Sequence, residues 1–203
     1  MMLTTTVAEL HIGGPVDGWQ RLGLHIVDDA ALVDGVALRF VGGEPGLHGW
    51  AFCNAPVTDD LIDGIPTRYV DALTAGGRDH DLSVIAVDHV VVNTSSLERT
   101  CAAIEAATGE PLKRVREIGA IRQGFHRLER VVLEVVESPQ VTAAVASLWG
   151  FVLTVDDIHD ACDRLGPDVV GLPKAAVQPG RFIATVRPTV ALGLPLAFIS
   201  PRT

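Results

Sequence analysis

The chain has 203 residues, of which 48% are apolar and 20% charged, and its formal net charge is −9. That much apolar side chain excludes a disordered polymer and suffices for one compact domain or two small ones. The acidic balance excludes a general phosphate-backbone binder, which depends on cationic side chains.

The opening "MMLTTTVAEL" has no basic segment leading into a long apolar run, so no secretory signal is expected. No apolar stretch reaches the roughly eighteen residues that a bilayer crossing needs. Cys53, Cys101 and Cys162 are widely spaced and lack any CxxC pairing, which makes a reducing cytoplasm the expected setting.

In chain order, "VAELHIGG" reads as a strand, "VDGWQRLGL" as a short helix, and "HIVDDA", "VDGVALRFVGG" and "LHGWAFCN" as three more strands. Residues 1–57 are therefore expected to form a divergent βαβββ-like module. Residues 58–83 show no sustained alternation and are expected as a linker, with room for one short helix.

A clearer unit spans 84–140. Val87 to Val92 is a valine-rich strand, and Ser95 with Glu98 makes a capping box for a helix whose buried stripe is Leu97, Cys101 and Ile104. Gly109 can end that helix. "PLKRVREI", "AIRQGFHRL" and "RVVLEVVE" follow as strands. The same order returns over 145–203: "LWGFVLTV", a helix capped by Asp156 or Asp157 and stopped at Gly166, then "VVGLPKAAV", "RFIATVRP" and "ALGLPLAFI".

A strand-helix-three-strand unit in tandem, opened by "DHVVV" and closed by "VVLEVVE", resembles the vicinal oxygen chelate superfamily. Its members include glyoxalases, extradiol dioxygenases, methylmalonyl-CoA epimerase and bleomycin-resistance proteins. The segments "RQGFHRLERVVLEVVE", "LWGFVLTVDDIHDACDRLG" and "AVQPGRFIATVR" are similar to its poorly characterised glyoxalase-like members. The resemblance implies an α+β fold in which tandem βαβββ modules form a cupped mixed β-sheet. It also implies a small organic molecule as partner, with a homodimer as the family's frequent assembly.

In that family the first strand of a module often supplies a His ligand to a divalent metal, and the last strand a Glu. Those positions fall on His89 and Glu134 here. Zn, Fe, Mn, Co or Ni would suit such donors. Glu137 would face the other side of its strand. The second module does not match: superposing the helix starts Leu97 and Ile158 carries His89 onto Gly150. Superposing the closing Ser-Pro pairs at Ser138 and Ser200 carries Glu134 onto Leu196. Two ligands seldom hold a catalytic metal, so a third would have to come from His126, or from His11 or His48 of the first module.

The expectation is therefore a glyoxalase-like protein that holds a small, partly apolar organic molecule in its cup without a complete metal site. In the alternative, His89 and Glu134 serve a metal-dependent lyase, isomerase, epimerase or dioxygenase. His89 hydrogen-bonded to Glu134 is the plain structural outcome. Trp149 and Arg181 are candidate ligand contacts, with core packing and a turn role as their ordinary alternatives, and Trp50 is a further aromatic candidate. Arg114, Arg116, Arg122, Arg127, Arg130 and Lys113 cluster on the middle strands, where a solvated face is the expected role. His25, His80 and His159 show no partner at a recognisable spacing. The motifs of nucleotide, dinucleotide, hydrolase and metalloprotease sites are absent.

Overall fold

The computed structural model describes residues 4–74 and 80–202. Residues 1–3 of the first expected module, 75–79 of the expected linker and 203 of the last module lie outside the described residues.

The chain begins with β1 (Thr6–Gly13), α1 (Asp17–Arg21), β2 (Ala30–Val33), β3 (Val36–Phe40) and β4 (Gly46–Cys53). Two further strands follow, β5 (Leu61–Ile62) and β6 (Ile65–Val70), within the stretch expected as a linker. The six strands form one sheet in the order β2-β3-β1-β4-β6-β5. Its centre is the antiparallel pair β1–β4, with β3 parallel to β1 and β6 parallel to β4.

The second sheet is built from β7 (Val84–Thr94), α2 (Leu97–Thr108), β8 (Arg114–Ile118), β9 (Ile121–Leu128) and β10 (Val131–Glu137), then β11 (Ser147–Val155), α3 (Ile158–Leu165), β12 (Lys174–Ala175), β13 (Phe182–Thr185) and β14 (Leu196–Ile199). The order is β12-β13-β14-β11-β7-β10-β9-β8. Here too the centre is an antiparallel pair of first strands, β7–β11, each flanked by its own parallel last strand. Two βαβββ units thus join edge to edge in one mixed sheet, giving an α+β fold.

One face of this sheet joins the N-terminal unit and the helices in a single apolar core. Val87, Val90, Leu133, Phe151 and Leu153 share it with Leu10, Trp19, Leu38 and Trp50. Trp19 of α1 stacks on Phe151 at 5.8 Å between ring centres. Burying a side chain of this size is worth about 1.5–3 kcal/mol, so the N-terminal unit is held by the same force that forms the core. The other face carries a small separate cluster of Val152, Ala197 and Ile199 and is otherwise open. No helix among the described residues is long and apolar enough to cross a membrane.

Several local expectations need correction. Ser96, not Ser95, caps α2, its hydroxyl accepting from the Arg99 amide at 3.4 Å. Glu137 supplies the second cap, accepting from the Leu97 amide at 2.6 Å, while Glu98 pairs with Arg122 instead. The cap of α3 is as expected, Asp157 being the one of the two candidates that accepts from the His159 and Asp160 amides. "VDGVALRFVGG" is not one strand: Asp34 and Gly35 both take positive φ and turn the chain into the β2–β3 hairpin. An Asp-Gly pair meets the demand of such a two-residue turn at little strain. "HIVDDA" supplies an isolated bridge between Val27 and Ala30 and, with Ala30, the first residue of β2, next to Asp28 and Asp29 at positive φ.

Candidate functional site

Strand alternation decides which side chains reach the open, concave face. Along β10, Val131, Leu133 and Val135 are buried in the core, and Val132, Glu134 and Val136 line the cup. Strand β7 would alternate in the same way, but its pairing with β11 steps from His89↔Val152 directly to Val87↔Leu153. Asp88 is therefore the extra residue of a β-bulge. Val87 and Val90 both stay in the core, and Asp88 and His89 fall side by side. A bulge re-aims side chains in this way at the cost of one unpaired residue.

A chain of polar contacts results. Arg181 Nη2 lies 2.7 Å from Asp88 Oδ1, with both side chains nearly inaccessible. Arg181 also donates through Nε to the Ser200 carbonyl at 2.7 Å and through Nη1 to the Gln178 side-chain oxygen. Asp88 Oδ2 accepts from His89 Nδ1 at 2.9 Å, which turns His89 Nε2 towards Glu134 Oε2 at 3.6 Å. Gln123 Nε2 donates to Glu134 Oε1 at 2.5 Å. Burial works to raise the Asp88 pKa. The hydrogen bonds from His89 and Arg181, with the Arg181 charge, overcome it and hold the carboxyl at about 2. For Glu134 burial wins, and its pKa is raised despite His89, Arg116 and Gln123.

The cup has two lobes that share His89, Gln123, Glu134 and Ile183. One, of about 580 Å³, is lined largely by apolar side chains such as Val91, Val136, Val141, Trp149 and Val152. The other, of about 770 Å³, is bordered by Arg114, Arg116, Arg127 and Arg202, with Phe125 between them. Trp149 is the bulged residue of β11, skipped between Leu148↔Val92 and Gly150↔Val91, and remains 50% exposed.

The donors that a metal would need are not gathered here. The β7–β11 register pairs His89 with Val152 and Val91 with Gly150, so the two-fold relation of the units carries His89 onto Gly150. No side chain fits there, since a Cβ on Gly150 would meet the Pro195 carbonyl oxygen at 2.2 Å. The same register carries Glu134 onto Ala197, one residue beyond the expected Leu196. Leu196 belongs to the core, whereas Ala197 lies with Val152 in the cup. His126 pairs with Leu133 on the core face, fully buried, its Nδ1 bonded to the Glu110 carbonyl. His11 binds Glu9 and His48 binds the Glu44 carbonyl, and among the described residues none before His89 lines either lobe. Among the described residues no group of three His, Cys, Asp or Glu is placed to hold a metal ion. The donor set of His89 and Glu134 alone does not fit a catalytic metal.

Of the other candidates, Trp50 is core, its indole donating to Thr67 at 2.8 Å. Arg122 pairs with Glu98 and Glu137, and Arg130 with Asp34, away from the cup. Arg181 is no simple turn residue, because it is buried against Asp88. His25 does have an acidic partner, Asp81 at 3.0 Å, while His80 holds the Leu32 carbonyl. Asp88, Gln123 and Arg202 are absent from the sequence-based list. Only Asp88 had a legible signal: a charged residue beside His89 inside an apolar run requires a buried partner.

No family model matches the chain, and no curated protein matches it by sequence. Solved structures do. A triple mutant of 4-hydroxymandelate synthase from Streptomyces coelicolor superposes with a TM-score of 0.68 over 98% of this chain and 93% of that chain, at 14% identity. Methylmalonyl-CoA epimerase from Mycobacterium tuberculosis covers 61% of this chain and 92% of its own, with a TM-score of 0.50 and 15% identity. Both neighbours are vicinal oxygen chelate proteins, and at these identities the likeness is one of fold.

Proposed function

From a vicinal oxygen chelate fold with an open cup, we propose that this protein binds a small, partly apolar organic molecule against His89 and Glu134 without a complete metal site. The observation that carries this reading is what faces those two residues across the sheet. Gly150 and Ala197 stand where donors would be needed, Gly150 has no room for a side chain, and Val152 fills the place opposite His89. The remaining lining supplies what a small-molecule site requires: a largely apolar wall, one half-exposed aromatic ring and a few convergent polar groups.

In such a site Gln123, Glu134 and His89 would orient the polar end of the ligand. Asp88 and Arg181 would hold the imidazole in one ring orientation, as carboxylates do behind many functional histidines. The apolar lobe would take the ligand's body.

The test combines two measurements on untagged protein purified without chelator. Native mass spectrometry of the protein from its source cells should show a bound organic mass that denaturation releases. Inductively coupled plasma mass spectrometry should show no stoichiometric Zn, Fe, Mn, Co or Ni in wild type or in His89→Ala. Stoichiometric metal that disappears in His89→Ala would overturn this reading in favour of a metal-dependent lyase, isomerase, epimerase or dioxygenase.

A further inference from the structure

The chain carries 16 Lys and Arg against 25 Asp and Glu, so basic side chains should generally sit beside acidic ones. Arg39, Arg99, Arg122, Arg130, Arg164 and Arg181 do, each within ion-pair distance of a carboxylate. Among the described residues Arg21, Arg68, Lys113, Lys174 and Arg187 do not and are scattered over the molecule, whereas Arg114, Arg116, Arg127 and Arg202, also without such a partner, are gathered in one place. Among the described residues none of the four forms an ion pair, and all four border the same lobe of the cup. Its one carboxylate, Glu134, is occupied with His89 and Gln123. Strand geometry explains three of them. Arg114 and Arg116 are alternate residues of β8, paired with Phe125 and Gln123 of β9, and Arg127 follows Phe125 by two. Arg202 reaches the lobe from the C-terminal segment after β14.

Beside this basic lobe lies the apolar one, with Trp149 half exposed on its wall. A bulge holds that ring on the open face, where core packing cannot account for it. A positive end and an apolar end, joined at His89 and Glu134, describe one kind of ligand.

We propose that the ligand is an amphipathic organic anion, with a carboxylate or phosphate held among Arg114, Arg116, Arg127 and Arg202 and an aryl or acyl body packed along Trp149. This inference rests on the cup being a binding site. It adds the sign of the ligand's charge and the direction in which the ligand lies. Guanidinium forks match the oxygens of such anions; Arg127 spends its Nε on the Glu129 carbonyl at 3.0 Å, and its Nη groups stay available with the other three guanidinium groups.

The test uses probes with one body and different heads: 2-naphthoate, 2-naphthylmethanol and 2-naphthylmethylammonium. Binding is read from quenching of Trp149 and checked by calorimetry. Trp19 and Trp50 are 0% exposed, so quenching reports on the cup. The expected result is that naphthoate binds about tenfold more tightly than the alcohol, as one charge-assisted contact supplies, and that the ammonium binds worst. Raising the salt from 50 mM to 500 mM should erase the preference for naphthoate while leaving the alcohol unchanged, a readout that needs no variant. Arg116→Ala with Arg202→Ala should do the same. Equal binding of naphthoate and alcohol would overturn the proposal and leave the cup as a neutral-ligand site. No binding by any probe would overturn the cup reading with it.

Discussion

Arg181 and Asp88 form an ion pair of 2.7 Å in which the side chains are only 3% and 6% exposed. Two strands that are distant in sequence are thereby tied beneath the site, because Arg181 precedes β13 and Asp88 is the bulged residue of β7. The pair also satisfies the backbone at the end of β14, through the Ser200 carbonyl. Its role is to hold the bulge and the His89 ring in place.

Removing one partner should cost far more than the pair contributes. Arg181→Met leaves Asp88 buried with only His89 as partner, and the expected loss is about 3–5 kcal/mol in urea unfolding. Combining it with Asp88→Asn should recover part of that loss, since no unpaired charge remains. Losses that simply add would show that the two residues are not coupled.

Acid should expose the same pair. Asp88 is held at about 2 in the folded protein, against 3.8 ordinarily. A depressed folded pKa gives stability that is complete above about pH 4 and is lost as pH falls towards 2. Its size is about 2 kcal/mol. Asp88→Asn should flatten this acid limb in unfolding curves measured from pH 5 to pH 2, and an unchanged limb would assign the acid sensitivity elsewhere.

Glu134 should behave with the opposite sign. Burial raises its pKa in the folded state, so its ionisation opposes folding as pH rises through and above 4.5. Glu134→Gln keeps an oxygen for the Gln123 donor and removes the charge. The variant should be more stable than wild type at pH 7 and no different near pH 3. A destabilised variant at pH 7 would mean that the contact with His89 outweighs burial.

The second unit can be given a donor at Ala197 but not at Gly150. Gly150→Ala should destabilise the protein by about 3 kcal/mol, because its methyl group would meet backbone rather than a flexible side chain. Ala197→Glu adds a carboxylate at the position the register equates with Glu134. With about 1 mM Zn²⁺ and a dissociation constant near 10 μM, that variant should gain about 2.7 kcal/mol in stability while wild type gains none. A wild type stabilised to the same degree would show that His89 and Glu134 already suffice.

The two C-terminal units were legible because their signals are local and repeated. Valine runs, helix stops at Gly109 and Gly166 and the Asp157 cap fix each element on its own. The wall facing His89 was nearly legible, since helix superposition already gave Gly150. Its other half was misplaced by one residue, because the Ser-Pro pairs mark the chain after β14 and not the register of β14 against β11. The bulge at Asp88 was not legible. A bulge is a property of pairing between strands some sixty residues apart, and nothing in "VDHVVV" alone declares it. Strand β5 was missed because it has only two residues, and β6 because Pro66 argues against a strand there and its parallel partner β4 lies outside its own segment.

Both sheets have the same heart: two first strands side by side and antiparallel, each with its own last strand parallel on the outer flank. In the N-terminal sheet each half has three strands, one fewer than a C-terminal unit, and among the described residues the half that starts at β4 has no helix. The two sheets thus divide the labour of one design. The C-terminal one keeps its full complement of strands and an open hollow, while the N-terminal one serves as a buttress, with Trp19 pressed against the back of its sibling at Phe151.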